Sequence, residues 1–535
     1  MSTLTGLSGC LRLAWRRNRL FLACWIAGLA VLMPLTLGQY ETMIPPGTDP
    51  RATLEPLRHN PSMLALLGPA FDVYTTGGFV FWRVGGFCST FAAMMAGFAV
   101  IRTTRAEEEE GRLELVRAGQ VGRHAPLAAS LLLGALAALA LTAASAAPLV
   151  AMGLPVAGSL ASGTALGIEA LLFTGIGAVV AQVFESTRTV RGWTIGLLWG
   201  GMFLARMVID GAGPAAERAR LGWLVPLEWG MLLRPFAGHR WWVALMALAL
   251  FVLLALLAFR LESARDHGAG LVAARPGPAV ASPALSGAWG LAWRLQRNSL
   301  LGWSLALLLG AAGVGSIVAQ LHDALADNPQ LGQMLEKLGG SQDLDVAFYG
   351  AMLGIIATVV AVFGASILLR LRSEEVHGRV EPLLATATSR LWLASSHLAL
   401  ATVAPCLVLV GVGAALPLAE ALRGGDWSPV GTYGRAAAGL LPGVLLVVGL
   451  AMALLGWLPR LTGLVWALLG WTLFATWVAV LFDLPAWLLR LQPWGHLRLL
   501  PRDAWSWTPF TVELLVALGL LALGLAGYRR RGIPA

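Results

Sequence analysis

The chain has 535 residues, of which 57% are hydrophobic and 13% charged, with a mean hydropathy of +0.72. A soluble domain carries charge on about a quarter of its residues, so this composition excludes a soluble enzyme or adaptor and points to a polytopic membrane protein. A net charge of +9 would suggest a nucleic-acid partner for a soluble domain. Here the arginines cluster in alternate segments between apolar runs, the positive-inside pattern, and no nucleic acid is expected.

A membrane-crossing helix needs roughly 20 mostly apolar residues, because no backbone polar group can be left unpaired in hydrocarbon. About twelve spans are expected, near 20–37, 84–101, 126–150, 163–184, 193–209, 241–259, 300–319, 346–369, 398–418, 438–458, 463–482 and 509–527. The first follows Arg12, Arg16, Arg17 and Arg19 and leads to no small-residue cleavage site, so it is expected to persist as a helix. Ahead of it, LSGCLRLAWR (7–16) places Leu7, Leu11 and Trp15 on one helical face beside arginines. That is the pattern of an amphipathic helix lying in the inner interface.

The second expected span runs into a charged stretch, RAEEEEGRLELVRAGQVGR (105–123). Glu107 to Glu110 fall where that helix should end, with Gly111 as its C-cap, and anions at a helix C-terminus oppose the dipole. Glu108 and Arg112 are four residues apart with the acid first, the favourable order for a helical ion pair. In the fourth span, Glu169 of SGTALGIEALLF is an intramembrane acid and a candidate for the substrate path. Arg206 and Asp210, near an outer helix end, read as a surface pair. Residues 262–284, rich in Ala, Gly and Pro, read as a cytoplasmic linker.

Beyond the linker the chain repeats itself. LSGAWGLAWR (285–294) matches residues 7–16 at seven of ten positions, and Asn60-Pro61 recurs as Asn328-Pro329. The charged stretch returns as RSEEVHGRVEPLLATATSR (372–390) at a shift of 267, pairing Arg105 with Arg372, Glu107 with Glu374, Glu108 with Glu375 and Gly111 with Gly378. The same shift pairs Arg112 with Arg379, Glu114 with Glu381 and Arg123 with Arg390. The chain is therefore read as all-α, with two tandem six-helix halves, 1–261 and 285–535. An even number of spans per half makes the repeats parallel in topology.

The sole lysine, Lys337 in MLEKLGG, cannot belong to a Walker A loop, which needs lysine after glycine to reach nucleotide phosphates. If ATP drives this protein, another chain hydrolyses it. Cys10, Cys24, Cys88 and Cys406 form no CxxC, so neither a disulfide framework nor a metal site is expected. Two further readings have weaker support. A proton-coupled secondary transporter would suit Glu169 but leaves the duplicated acidic loops without a purpose. A membrane-embedded transferase would need more than the lone Asp343-Leu344-Asp345 pair.

The R-x-E-E-x-x-G-R-x-E-P-L-L-A-T-x-x-S-R stretch at 372–390, its looser copy at 105–123, the LAWR segments and AQVFESTRTVRG (181–192) carry a resemblance. The sequence resembles the permease subunits of type 2 ATP-binding-cassette exporters, in particular the fused exporters of polyketide antibiotics. The arginine distribution places both termini on the cytoplasmic side, and the resemblance implies a non-enzymatic subunit of the bacterial inner membrane. It further implies a hydrophobic or amphipathic drug-like cargo, and a separate cassette ATPase, in two copies, that holds the ATP and Mg. It also implies that the loop after the second span of each half couples to that ATPase. By position, the coupling residues are Glu107, Glu108, Gly111, Arg112 and Glu114, and Glu374, Glu375, Gly378, Arg379 and Glu381. A docking helix needs an apolar face as well as charge. Only the second loop offers one, at Pro382, Leu383 and Leu384, where the first has Leu115, Val116 and Arg117.

Overall fold

The computed structural model describes residues 2–44, 49–59, 61–212, 220–272, 279–280, 282–285, 287–326, 341–482, 491–498, 500–501 and 503–532. Lys337, Asn60 and Asn328-Pro329 lie outside them, and the side chains of Asp343 and Asp345 are not described. The chain divides into two compact units, Met1–Gly277 and Pro278–Ala535. The long helices of the first are α1 (Leu7–Met43), α2 (Thr76–Glu109), α3 (Ala125–Ala151), α4 (Val156–Val183), α5 (Thr187–Gly211) and α6 (Trp242–Ala264). Those of the second are α7 (Ala288–Ala326), α8 (Ser341–Val376), α9 (Arg390–Ala415), α10 (Leu441–Trp457), α11 (Leu464–Phe482) and α12 (Trp507–Arg530). Among the described residues, 11 helices are long and apolar enough to cross a membrane, α11 not being one of them. The protein is a multi-pass, all-α membrane protein.

The LAWR segment does not form a separate interfacial helix. α1 runs unbroken for 37 residues through both the arginines and the apolar run. No Gly or Pro interrupts residues 10–26, and Leu, Ala and Arg are strong helix formers, so nothing in the sequence ends the helix at the interface. Leu7, Leu11 and Trp15 are the first turns of the first span.

Each unit has its own core. In the first, α4 is the central helix, packed on α2, α3 and α6. Small residues bring the backbones close: a Cβ on Gly163 would stand 2.3 Å from the Thr142 carbonyl oxygen, and one on Gly177 would stand 3.4 Å from the Gly97 Cα. In the second unit α10 and α12 meet the same way, with Gly456 facing the Gly524 carbonyl at 2.2 Å from its would-be Cβ. Inside lipid there is little hydrophobic drive between helices, so this close approach is what holds them. Between α5 and α6 the chain folds back onto its own unit. Leu227 to Leu233 are buried, and Trp229–Leu232 packs on α4.

Candidate functional site

The first charged loop is built around one carboxylate. Glu108 is 8% exposed and accepts from Arg105 Nη1 at 2.8 Å, Arg265 Nη1 and Nη2 at 2.7 and 2.8 Å, and the Gly268 amide at 2.7 Å. Arg265 is the first residue after α6. From the other side, Arg123 donates to the last carbonyls of that helix and to Arg265 itself, Glu262 O at 2.9 Å, Ser263 O at 3.2 Å and Arg265 O at 3.3 Å. Such donors complement the negative end of a helix. Glu107 takes Arg112 through two bonds of 3.0 Å and also meets Arg17 of α1. Glu109 caps the start of α5, accepting from the Thr187 amide at 2.7 Å. Beyond Arg265 the chain continues as a strap, with Arg105 donating to Gly268 and Ala269 carbonyls and the Val272 amide donating to Val183 O at 2.9 Å. The first part of the 262–284 stretch is thus docked on the first unit.

The second loop has the same hub. Glu375, 4% exposed, accepts from Arg372 Nη1 at 3.2 Å and from Arg531 Nη2 at 2.5 Å. Arg531 is the first residue after α12, and Arg390 donates to its carbonyl at 2.5 Å. Glu374 pairs with Arg379 at 2.7 Å and with Arg370 at 3.4 Å. Arg105, Glu108, Arg123 and Arg265 of the first unit thus correspond one for one to Arg372, Glu375, Arg390 and Arg531 of the second.

Gly111 and Gly378 take left-handed conformations, φ +70 and +69, and end the helix before them. That turn breaks the expected i,i+4 pairs: Arg112 takes Glu107 and Glu110, and Arg379 takes Glu374, while Glu108 and Glu375 face inward to the clamp. Glu114 and Leu115 are exposed, as are Arg379, Glu381 and Pro382. Leu383 and Leu384 are only partly exposed and pack on the core of their own unit. Arg117 is engaged with Glu262 at 3.3 Å and His267 at 2.9 Å.

A second buried polar group lies inside the first unit, away from the charged loop. Glu169 is 0% exposed, on α4, and its Oε1 accepts from the Gly230 amide at 3.0 Å while Oε2 has no hydrogen bond. Arg206 and Asp210 are not a surface pair: both are buried, Arg206 donating to Leu66 O at 2.9 Å with its Nε 3.8 Å from Glu228 Oε2. The inserted segment 222–233 supplies Glu228 and covers α5, which explains the burial. Desolvation, with the Asp210 carboxylate close by, pushes the Glu228 carboxyl well above the ordinary carboxylate range despite Arg206. Room for the guanidinium comes from Gly86, where a Cβ would stand 2.7 Å from Arg206 Nη1. No grouping of three or more metal-ligating side chains occurs among the described residues.

Sequence reasoning located the loops but missed Arg265 and Arg531. The one signal was their separation of 266, close to the duplication shift of 267. The family described as "Multidrug efflux system permease Rv1217c, C-terminal domain" matches residues 285–529. The multidrug efflux system permease protein Rv1217c of Mycobacterium tuberculosis is 37% identical over 534 residues, covering 99% of this chain and 96% of that protein. With similarity along the whole of both chains and with the paired charged loops in place, the chain belongs to the family of ABC-type multidrug efflux permeases that includes Rv1217c.

Proposed function

We propose that this permease exports hydrophobic or amphipathic drug-like compounds across the bacterial inner membrane. It does so by alternating access, driven by two copies of a cassette ATPase. The chain crosses the membrane twelve times as two parallel six-helix repeats, with both termini and both charged loops on the cytoplasmic side. The observation that carries this reading is the repeated loop. Each half builds the same buried hub and above it leaves a charged face outside its own fold, Glu110, Glu114 and Leu115 in one half and Arg379, Glu381 and Pro382 in the other. One ATPase docks on each face. Within the coupling set, Glu107, Arg112 and Glu374 fix the shape of the loop, Gly111 and Gly378 make its turn, and Glu108 and Glu375 anchor it.

At the opposite end of the first unit a cavity of about 640 Å³ is lined by Leu37, Asp72, Thr75, Met152, Phe236 and His239, a size that suits a drug-like molecule. We place the exit vestibule there. Glu169 borders the path rather than lining it, and a substrate would reach its carboxylate only if segment 222–233 withdrew from α4. The test is reconstitution. The purified chain alone should neither bind nor hydrolyse ATP, whereas with its ATPase in proteoliposomes it should move drug against a gradient. Nucleotide turnover by the isolated chain, or transport without the ATPase, would refute the reading.

A further inference from the structure

We infer that Arg265 and Arg531 are the residues that transmit ATPase movement into the membrane, each tying the coupling loop of its half to the last helix of that same half. The inference rests on the docking role proposed for the loops. The geometry carries it because it occurs twice. Within each unit a buried glutamate of the loop (Glu108, Glu375) is gripped by the arginine that immediately follows the sixth long helix. In each, the loop's closing arginine (Arg123, Arg390) donates back to that arginine's carbonyl. In each, an arginine three residues before the glutamate completes the grip.

The two stretches that supply Arg265 and Arg531 otherwise differ: LESARDHGAG at 261–270 and GYRRRGIPA at 527–535. The joint is thus the same in both halves although the chain around it is not. What points to transmission is the placement of the same three links, between the loop proposed to dock and the last long helix of the half. Glu108 and Glu375 sit at the ends of α2 and α8, and Arg265 and Arg531 at the ends of α6 and α12, so displacement of a loop moves two helices of its half together. The Arg265–Glu108 pair is bidentate, a geometry that a lysine contact cannot reproduce, whereas Arg531 holds Glu375 through one bond. The first joint has a reserve, because Glu108 also holds the Gly268 amide. The second has no such backbone donor among the described residues.

The experiment uses the full permease with its ATPase, in variants Arg265→Ala, Arg531→Ala and their Lys counterparts. Compared at matched amounts of assembled complex, Arg531→Ala should lower transport per ATP by about tenfold, within the range of ordinary coupling energies. Arg265→Ala should lower it less, and each Lys variant should recover part of the loss. Adding Glu375→Gln to Arg531→Ala should cost less than the sum of the two single losses, since the two act as one joint and only the Arg372 contact remains to be lost. A second readout needs no ATPase: amide exchange on the permease alone should quicken in 372–390 with Arg531→Ala, and in 105–123 with Arg265→Ala. Unchanged transport per ATP, additive losses, or unchanged exchange in the matching loop would each overturn the inference. The docking role is judged separately, by reversing Glu110 with Glu114 and Arg379 with Glu381. If those reversals leave drug-stimulated ATP turnover intact, the docking reading falls, and the exchange measurement alone decides whether the joint exists.

Discussion

The molecule buries carboxylates in two ways. At the loop end Glu108 is surrounded by more donors than it has oxygens, whereas deep in the first unit Glu169, Asp210 and Glu228 gather around Arg206, with Glu169 Oε2 lacking a hydrogen bond. α5 spans the distance between the two regions: its first amide caps on Glu109 and its last turns carry Arg206 and Asp210. Nineteen residues of helix separate Thr187 from Arg206, about 28 Å and close to the thickness of a bilayer core. A fully paired carboxylate stays ionised and fixes a geometry. An underpaired one lowers the cost of burial by keeping its proton. On the proposed reading the loop end holds a geometry that can transmit movement, and the interior cluster holds segment 222–233 against α4 and α5.

Removing the cation from the interior group should have the largest effect. Arg206→Ala leaves buried carboxylates facing one another and strips a donor from Leu66 O. Emptying so large a buried side chain costs about 3–5 kcal/mol, so the apparent melting temperature in detergent should drop sharply and segment 222–233 should become open to protease. A variant that melts like the parent would mean that the helices, and not this cluster, hold the segment in place.

The paired group should lose less, and unequally between the two units. Glu108→Ala strands Arg105, Arg265 and the Gly268 amide, whereas Glu375→Ala strands Arg372 and Arg531, whose side chain is already 12% exposed. Losing the acceptor of a charge-assisted bond costs about 1–3 kcal/mol. Glu108→Ala should therefore destabilise its unit by more than Glu375→Ala destabilises the other, as read by melting of the two variants at matched expression. The reverse order would show that the strap beyond Arg265 adds nothing.

The loops were legible in the sequence because charge surrounded by apolar runs stands out, and because a duplication repeats its markers at a constant shift. Gly111 was legible as a cap for the same physical reason that it takes φ +70: only glycine enters the left-handed region freely. The partners of Glu108 and Glu375 were not legible. Each is one arginine among many at the basic ends of spans, more than 150 residues away from its glutamate. The pairing of Glu107 with Arg112 was misjudged by one residue, because helical spacing was applied across a turn that ends the helix. Arg206 and Asp210 were misjudged because a four-residue spacing near a helix end looks the same whether it faces solvent or a neighbouring segment. The correcting signal was present in GWLVPLEWGMLL (222–233), a run too apolar for a solvated loop and carrying the single acid Glu228.

The smallest effect should come from Glu228 itself, and its sign tests whether the interior cluster really is underpaired. Burial raises the carboxyl of Glu228 in the folded state above its value in the unfolded chain, so the folded protein holds a proton there that the unfolded chain has released. The stability that this proton contributes is fully present below the unfolded pKa, and it is lost as pH rises through the raised folded pKa. Thermal stability of the parent should therefore fall as pH rises above the ordinary carboxylate range. Glu228→Gln keeps the shape of the protonated acid and removes the titration. The variant should melt within about 0.5 kcal/mol of the parent at low pH, the scale of a neutral substitution. It should become the more stable of the two at higher pH, with a flatter profile. If Glu228→Gln instead lowers stability equally at every pH, Glu228 is ionised and fully paired with Arg206, and the interior group is held in the same way as the clamps at the loops.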